Sequence, residues 1–243
     1  MKSRKKGNIP LRKSSVSNVK KQKTGQKAPK TQKAKKETTL RVSLAPMPSP
    51  QEYVPARASW MHGEFNFKDL FIFEIANNHQ GDIAHGKRII EGIAREAHKA
   101  GVRGAVKFQF RHLDTFIHPD HKKATDNKHI PRFLSTRLSE KGFSELLAAA
   151  RANGLLTMAT PFDEPSVDLL EKLGVDIVKV ASCSATDWPL LERIVETGKP
   201  IVCSSAGVEL HDVDRIVAFF DHRAAQFALM HCVALYPTPV EKL

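Results

Sequence analysis

Two lysines lie inside apolar segments of strand length, where a charged side chain is costly to bury. Lys107 lies in the segment GAVKFQF, and Lys179 lies in VDIVKVAS. A buried ammonium group needs an anion as its partner, so two such lysines at matching strand positions indicate a pocket for a phosphate or carboxylate group. The alternatives are that each lysine extends to water or pairs with Glu74, which ends another apolar segment.

Further polar side chains lie near the carboxyl ends of these and two other apolar segments, where they would complete an anion site: Gln109, Thr160, Ser182, Ser204 and Ser205. Gln109 lies two residues after Lys107, so strand alternation places both on one face, with Phe108 and Phe110 on the other. Perturbed charges cluster at functional sites, so this group is the candidate binding site.

Further polar residues surround Glu74 in the stretch FEIANNHQGD, which also contains Asn77 and Asn78. As part of a cleft, Glu74 would contact substrate or transfer a proton, and its alternative is a structural ion pair. His231 ends the last apolar segment. It is compatible with a metal ligand or with a hydrogen-bonded histidine of the core.

A parallel α/β sheet would bring these strand ends together. Apolar segments lie at 70–76, 104–110, 154–160, 175–182, 199–205 and 225–232, and helical patterns lie at 85–101, 139–154, 163–174, 187–198 and 209–220. Polar residues collect at the carboxyl ends of nearly all strands, which favours a TIM-type (β/α)8 barrel over a doubly wound sheet with a glycine-rich turn. We predict such a barrel, incomplete, with about six βα units.

The positive charge is concentrated at the start of the chain. The formal net charge is +12, and residues 1–41 contain fifteen Lys or Arg residues but a single acid, so the remainder is nearly neutral. Residues 1–58 lack an apolar period, and we predict a disordered Lys-rich tail followed by a barrel over residues 59–243. Nucleic acid or an anionic surface is a candidate partner of the tail only.

Other compositional features exclude several classes of protein. No apolar run approaches eighteen residues, so no membrane span is expected. Cys183, Cys203 and Cys232 lack the spacing of a zinc or redox motif, which favours reduced thiols in a cytoplasmic protein.

Six motifs together resemble the sialic acid synthase family, which includes N-acetylneuraminate, legionaminate and pseudaminate synthases. In chain order they are EIANNHQGD, AVKFQ, ATPFD, VKVASCS, GKPIVCSSAG and LMHCVALYPTP, and they extend over roughly residues 70–243. The resemblance implies a TIM-type barrel that condenses phosphoenolpyruvate with an N-acetylated aldose such as N-acetylmannosamine and releases phosphate. It also implies Mn2+ or Mg2+ as cofactor and a homodimer for the complete enzyme.

The resemblance assigns roles to individual residues. Glu74, Lys107 and Lys179 are expected to be catalytic, and the lysines contact phosphoenolpyruvate together with Thr160, Ser182 and Ser204. The remaining substrate-binding residues are expected to be Asn78, Gln109, Phe162, Asp163, His231 and, near the sugar, Tyr236.

The chain departs from the family pattern in ways that affect the sugar and the metal. It has Ser182-Cys183-Ser184 where the family has Ser-Gly-Glu, and Ala234 where the family has a polar residue. Both changes remove hydrogen bonds to substrate. The two metal-binding histidines of the family lie on strands seven and eight, so we expect no metal ligand in this chain and expect those strands beyond Leu243.

Two other functions remain open from the sequence. One is another phosphoenolpyruvate-dependent synthase that makes 3-deoxy sugar acids. The other is a non-catalytic, truncated barrel with a binding role.

Overall fold

A computed structural model describes residues 63–124, 126–235 and 237–242 of the chain. The predicted tail at residues 1–58 and its boundary with the barrel at residue 59 lie outside the described residues. Tyr236, which we assigned to the sugar site, lies outside them as well.

Six parallel strands form one sheet in the order in which they occur along the chain. They are β1 (Leu70–Glu74), β2 (Arg103–Phe110), β3 (Leu156–Pro161), β4 (Ile177–Val180), β5 (Ile201–Ser204) and β6 (Phe227–Met230). A doubly wound sheet reverses its strand order at a switch point, and this sheet does not. The predicted TIM-type architecture with about six βα units is therefore confirmed as a half-barrel, with β1 and β6 as its edge strands.

The helices that connect these strands follow the predicted positions within a few residues. They are α1 (Ile83–Ala100), α4 (Glu140–Ala152), α5 (Glu164–Lys172), α6 (Trp188–Val195) and α7 (Leu210–Asp221). Asp82 starts α1, since its carboxylate accepts hydrogen bonds from the backbone of Ala84 and His85, and Gly101 ends it at φ 65°. The capping residues at both ends determine where this helix stops, as the sequence indicates.

One connection contains helices that were not predicted from the sequence. Between β2 and α4 the chain forms α2 (Leu113–Phe116), a 3-10 turn (Pro119–His121) and α3 (His129–Ser135). This segment stands at the carboxyl end of the sheet, and it places Phe116 and Phe133 near the strand ends.

The core consists of two apolar layers on either side of the sheet. The larger layer packs the helices against the outer face and includes Phe108, Phe110, Leu146, Leu170, Ile194 and Phe220. The smaller layer fills the interior near the start of the strands and includes Ala105, Leu156, Met158, Ile177 and Val202. Phe65 and Phe67, which precede β1, pack against this inner layer. Apolar packing therefore closes the amino-terminal end and leaves polar side chains at the other end.

The segment before β1 also connects the two edges of the half-barrel. The backbone N–H of Phe65 donates to the side-chain carbonyl of Gln226, the residue before β6. The side-chain amide of Gln226 in turn donates to the carbonyl oxygen of Gly63 at 3.4 Å. No helix among the described residues has the length and apolar character needed to span a bilayer.

The outer core layer should dominate stability. Leu146 is completely buried, whereas Leu210 is 77% exposed. We expect Leu146→Ala to lower the free energy of unfolding by about 2–5 kcal/mol, because it removes buried methyl groups and leaves a cavity. Leu210→Ala should change it by less than about 0.5 kcal/mol. Urea denaturation of both variants measures the difference, and equal midpoints would contradict this packing.

Candidate active site

Both lysines predicted from the sequence lie inside the half-barrel near its carboxyl end. Lys107 is 8% exposed and Lys179 is 7% exposed. The Lys107 ammonium group donates to the Thr160 hydroxyl at 3.2 Å, and the Lys179 ammonium group donates to the Ser204 hydroxyl at 2.6 Å. Neither lysine extends freely to water, so that alternative is wrong for both.

The two lysines are close enough to affect each other electrostatically. Burial is the main cause that lowers the pKa of Lys179 to about 8, and the positive charge of Lys107 lowers it further. Burial also raises the pKa of the neighbouring Cys203 thiol to about 11, so this thiol supplies no negative charge near neutral pH. A bound anion would therefore relieve both the desolvation of Lys179 and its repulsion from Lys107.

Glu74 forms the wall of the site next to Lys107. Its carboxylate pairs with the Lys107 ammonium group, and it accepts a hydrogen bond from the backbone N–H of Ala76 at 2.8 Å. Ala76 has φ 43°, a left-handed conformation that is costly for a non-glycine residue and is found at functional sites. The ion pair that the sequence offered as an alternative is thus present. The Glu74 side chain is 43% exposed, so an incoming anion would compete with it for Lys107.

Three further predicted residues, Ser182, Asn78 and His231, lie at the carboxyl end of the sheet and differ in their exposure and hydrogen bonds. The Ser182 hydroxyl accepts a hydrogen bond from the backbone N–H of Ala206 at 3.0 Å, which connects the end of β4 to the loop after β5. Asn78 is exposed in the loop after β1, and His231 is exposed directly after β6. The alternative of a core histidine does not fit His231.

Asp163 uses its carboxylate to hold the chain itself. One oxygen accepts the backbone N–H of Ser166 at 2.9 Å and caps α5, and the other accepts the backbone N–H of His112 at 2.9 Å. These bonds fix the turn after β3 against the turn after β2. A direct contact between Asp163 and substrate stays a prediction.

The structure adds Arg111, which the sequence analysis did not select, to this rim. Arg111 follows the last residue of β2 and donates to the side-chain carbonyl of Gln109 at 3.0 Å. Lys107, Gln109 and Arg111 are spaced by two residues each, so continuing the strand alternation by one step would have identified it.

A cavity of about 670 Å3 is lined in part by Arg111. Asn77, His79 and Gln109 also line it, whereas Lys107 and Lys179 do not. Burial lowers the pKa of His79, which favours the neutral imidazole on this wall. Gln109 thus lies between the lysine pair and this cavity.

Within the part of the chain that the structure describes, no group of three or more His, Cys, Asp or Glu side chains could hold a metal ion. The divalent metal that the resemblance implies for the complete enzyme stays a prediction.

Comparison with known proteins identifies the family. Residues 93–243 match the NeuB family. The chain belongs to the NeuB family. The resemblance to sialic acid synthases that the motifs indicated is confirmed.

Individual NeuB relatives agree with this placement. The chain is 31% identical to N,N'-diacetyllegionaminic acid synthase of Campylobacter jejuni, over 72% of this chain and 54% of that protein. A putative spore coat polysaccharide biosynthesis protein E from Chromobacterium violaceum is 48% identical, with a TM-score of 0.70 over 72% of this chain and 52% of that one. An N-acetylneuraminic acid synthetase from Leptospira borgpetersenii is 27% identical, with a TM-score of 0.60 over 71% and 56%. The chain spans about half the length of the relatives it matches.

The electrostatic coupling of the two lysines can be tested through the pKa of Lys179. In nuclear magnetic resonance titrations of lysine-labelled protein, Lys179 should titrate near pH 8, in line with its lowered pKa. Lys107→Met should raise the pKa of Lys179, because it removes the neighbouring positive charge. Inorganic phosphate should also raise it, since an anion stabilises the ammonium form. Loss of the signal in Lys179→Arg assigns the resonance, and titration near the ordinary value of 10.5 would exclude the coupling.

Proposed function

We propose that this chain provides the phosphoenolpyruvate-binding part of a NeuB-family synthase that makes a nonulosonic acid from phosphoenolpyruvate and an N-acetylated aldose such as N-acetylmannosamine. The observation that carries the proposal is the pair of buried lysines, Lys107 and Lys179, each bonded to a hydroxyl group at the same end of the sheet. Two fixed positive charges with hydroxyl donors suit the phosphate and carboxylate groups of phosphoenolpyruvate.

Binding would use groups that are already positioned. Lys107 and Lys179 would pair with the anionic groups, and the hydroxyls of Thr160, Ser182 and Ser204 would donate to their oxygen atoms. All five lie on β2 to β5 or directly after these strands, so the sheet holds them without rearrangement. Such preorganised charges stabilise negative charge without reorganisation during the reaction.

The condensation forms one carbon–carbon bond and breaks one bond to phosphate. C3 of phosphoenolpyruvate attacks the aldehyde carbon of the sugar, and the aldehyde oxygen takes a proton. Water adds to the cationic centre at C2 and loses its proton, and phosphate leaves to give the 2-keto acid. Glu74 is the candidate proton acceptor, because it is half-exposed at the mouth and its orientation is fixed by the backbone of Ala76.

The steps assigned to this chain are those of its own side chains. No step is assigned to the divalent metal that is expected for the complete enzyme. Assembly of the complete enzyme as a homodimer stays a prediction.

The function is tested by calorimetric titration with phosphoenolpyruvate. Lys107→Ala and Lys179→Ala should each raise the Kd by about tenfold to a hundredfold, since each removes a charge-assisted hydrogen bond to the ligand. Lys172→Ala is the matched control, because Lys172 is an exposed lysine paired with Glu140 and should leave the Kd unchanged.

Activity and selectivity complete this test. Phosphate release is expected with N-acetylmannosamine or an acidic derivative of it but not with arabinose 5-phosphate, and the reverse would favour a 3-deoxy-sugar-acid synthase. Binding of phosphoenolpyruvate without turnover would favour a binding role of the chain. Absence of phosphoenolpyruvate binding in the folded wild-type protein would contradict the proposal.

A further inference from the structure

The guanidinium group of Arg111 is held among three phenylalanine rings at the rim of the half-barrel. Its central carbon lies 3.8 Å from the ring centre of Phe162, 4.4 Å from that of Phe133 and 5.8 Å from that of Phe116. A planar guanidinium stacks on aromatic faces while its edge remains able to donate hydrogen bonds. The rings therefore fix the position of a positive charge and the plane in which it can donate.

Among the described residues, no carboxylate lies within salt-bridge distance of this charge. Arg111 donates to Gln109, but it forms no ion pair with a carboxylate of the described residues, and its buried Nε has no hydrogen-bond partner among them. Arg137, which lines the same cavity, differs because it pairs with Asp114 at 2.7 Å. Burial lowers the pKa of Arg111 to about 10 and outweighs the opposing effect of Cys183, Asp163 and Glu74, which act without direct contact. A desolvated cation without a partner is costly, and a bound anion would offset that cost.

The anion at Arg111 would be a different one from the anion at the lysines. Arg111 faces the cavity of about 670 Å3, which the two lysines do not line. A cavity of this size accommodates a small-molecule ligand. Amide groups of Asn77 and Gln109 also line it and suit the hydroxyl groups of a sugar.

We propose that Arg111 binds an oxyanion carried by the second substrate, so that the aldose is an acidic sugar with a phosphate or carboxylate group at the end away from its aldehyde. The proposal rests on the proposed function, in which phosphoenolpyruvate occupies the lysine pair and the aldehyde faces it. The forked guanidinium matches either oxyanion with two hydrogen bonds. A neutral sugar leaves this partly buried charge without an anion, and a site of this kind discriminates against such a ligand.

The test compares three sugars by calorimetric titration in the absence of phosphoenolpyruvate: N-acetylmannosamine, its 6-phosphate and its 6-carboxylate analogue. Wild-type protein should bind at least one acidic sugar at least about tenfold more tightly than the neutral one. The two acidic sugars separate phosphate from carboxylate as the recognised group. Arg111→Met keeps the length of the side chain but removes the charge. It should raise the Kd of the preferred acidic sugar about tenfold or more and leave that of the neutral sugar unchanged.

Two further variants control for folding and for charge. Arg111→Lys keeps a positive charge but loses the planar fork, so it should retain part of the preference even where Arg111→Met unfolds the protein. Arg223→Met is the matched control, because Arg223 also stacks on a phenylalanine, Phe219, at 3.8 Å, but pairs with Glu192 and does not line the cavity. It should leave all three affinities unchanged.

Two results would overturn the proposal. One is a wild-type protein that binds neutral and acidic sugars equally. The other is an Arg111→Met variant that weakens phosphoenolpyruvate binding as much as sugar binding, which would place Arg111 in the phosphoenolpyruvate site. Failure of Lys107→Ala and Lys179→Ala to weaken phosphoenolpyruvate binding would instead overturn the proposed function. The preference for an acidic sugar is measured without phosphoenolpyruvate, so the two failures are distinguishable.

Discussion

The burial of two ammonium groups at one end of one sheet is the constraint on which the site depends. Parallel strands all end at the same edge, so β2 and β4 bring Lys107 and Lys179 together without help from a flexible loop. Hydroxyl groups and, for Lys179, the carbonyl oxygen of Val180 accept hydrogen bonds from the ammonium groups but carry no negative charge. Glu74 neutralises Lys107 from a half-exposed position. The apolar layer below them excludes water from that side. The described residues therefore do not fully neutralise the positive charge of the two lysines. Such a residual charge is typical of a binding site for an anion and not of a protein core.

The alternation of apolar strands with amphipathic helices was sufficient to predict the half-barrel, because each signal is local and repeats along the chain. The α2–α3 segment carried no such signal. Both helices are short, the N-cap residues His112 and Lys128 make no side-chain capping bond, and α3 contains Pro131. Their position depends on tertiary contacts, such as that between Phe116 and Phe162 across 46 residues of sequence, which a local pattern does not encode.

The contrast between local sequence signals and tertiary contacts also explains why Lys107 and Gln109 were predicted as site residues and Arg111 was not. Lys107 and Gln109 stand out because strand alternation places two polar groups inside an apolar segment. Arg111 continues that alternation, but it lies one residue past the end of β2, where a basic residue is ordinary. What distinguishes Arg111 is its set of neighbours, Phe133 from α3 and Phe162 from the turn after β3. That environment exists only once the strands and the intervening helices are assembled.

One departure from the family pattern, Ser184, affects the charge in the surroundings of Arg111. Ser184, which replaces the glutamate of the family pattern, is buried in the 3-10 turn Ser182–Ser184 after β4. Its neighbour Cys183 is close enough to influence the pKa of Arg111. A carboxylate next to Cys183 would add negative charge to the surroundings of Arg111 and would favour neutralisation of the guanidinium from within the protein. With serine there, the positive charge at Arg111 stays available to a ligand. Under the proposal that the second substrate is an acidic sugar, the loss of this carboxylate and the unpaired Nε of Arg111 act in the same direction.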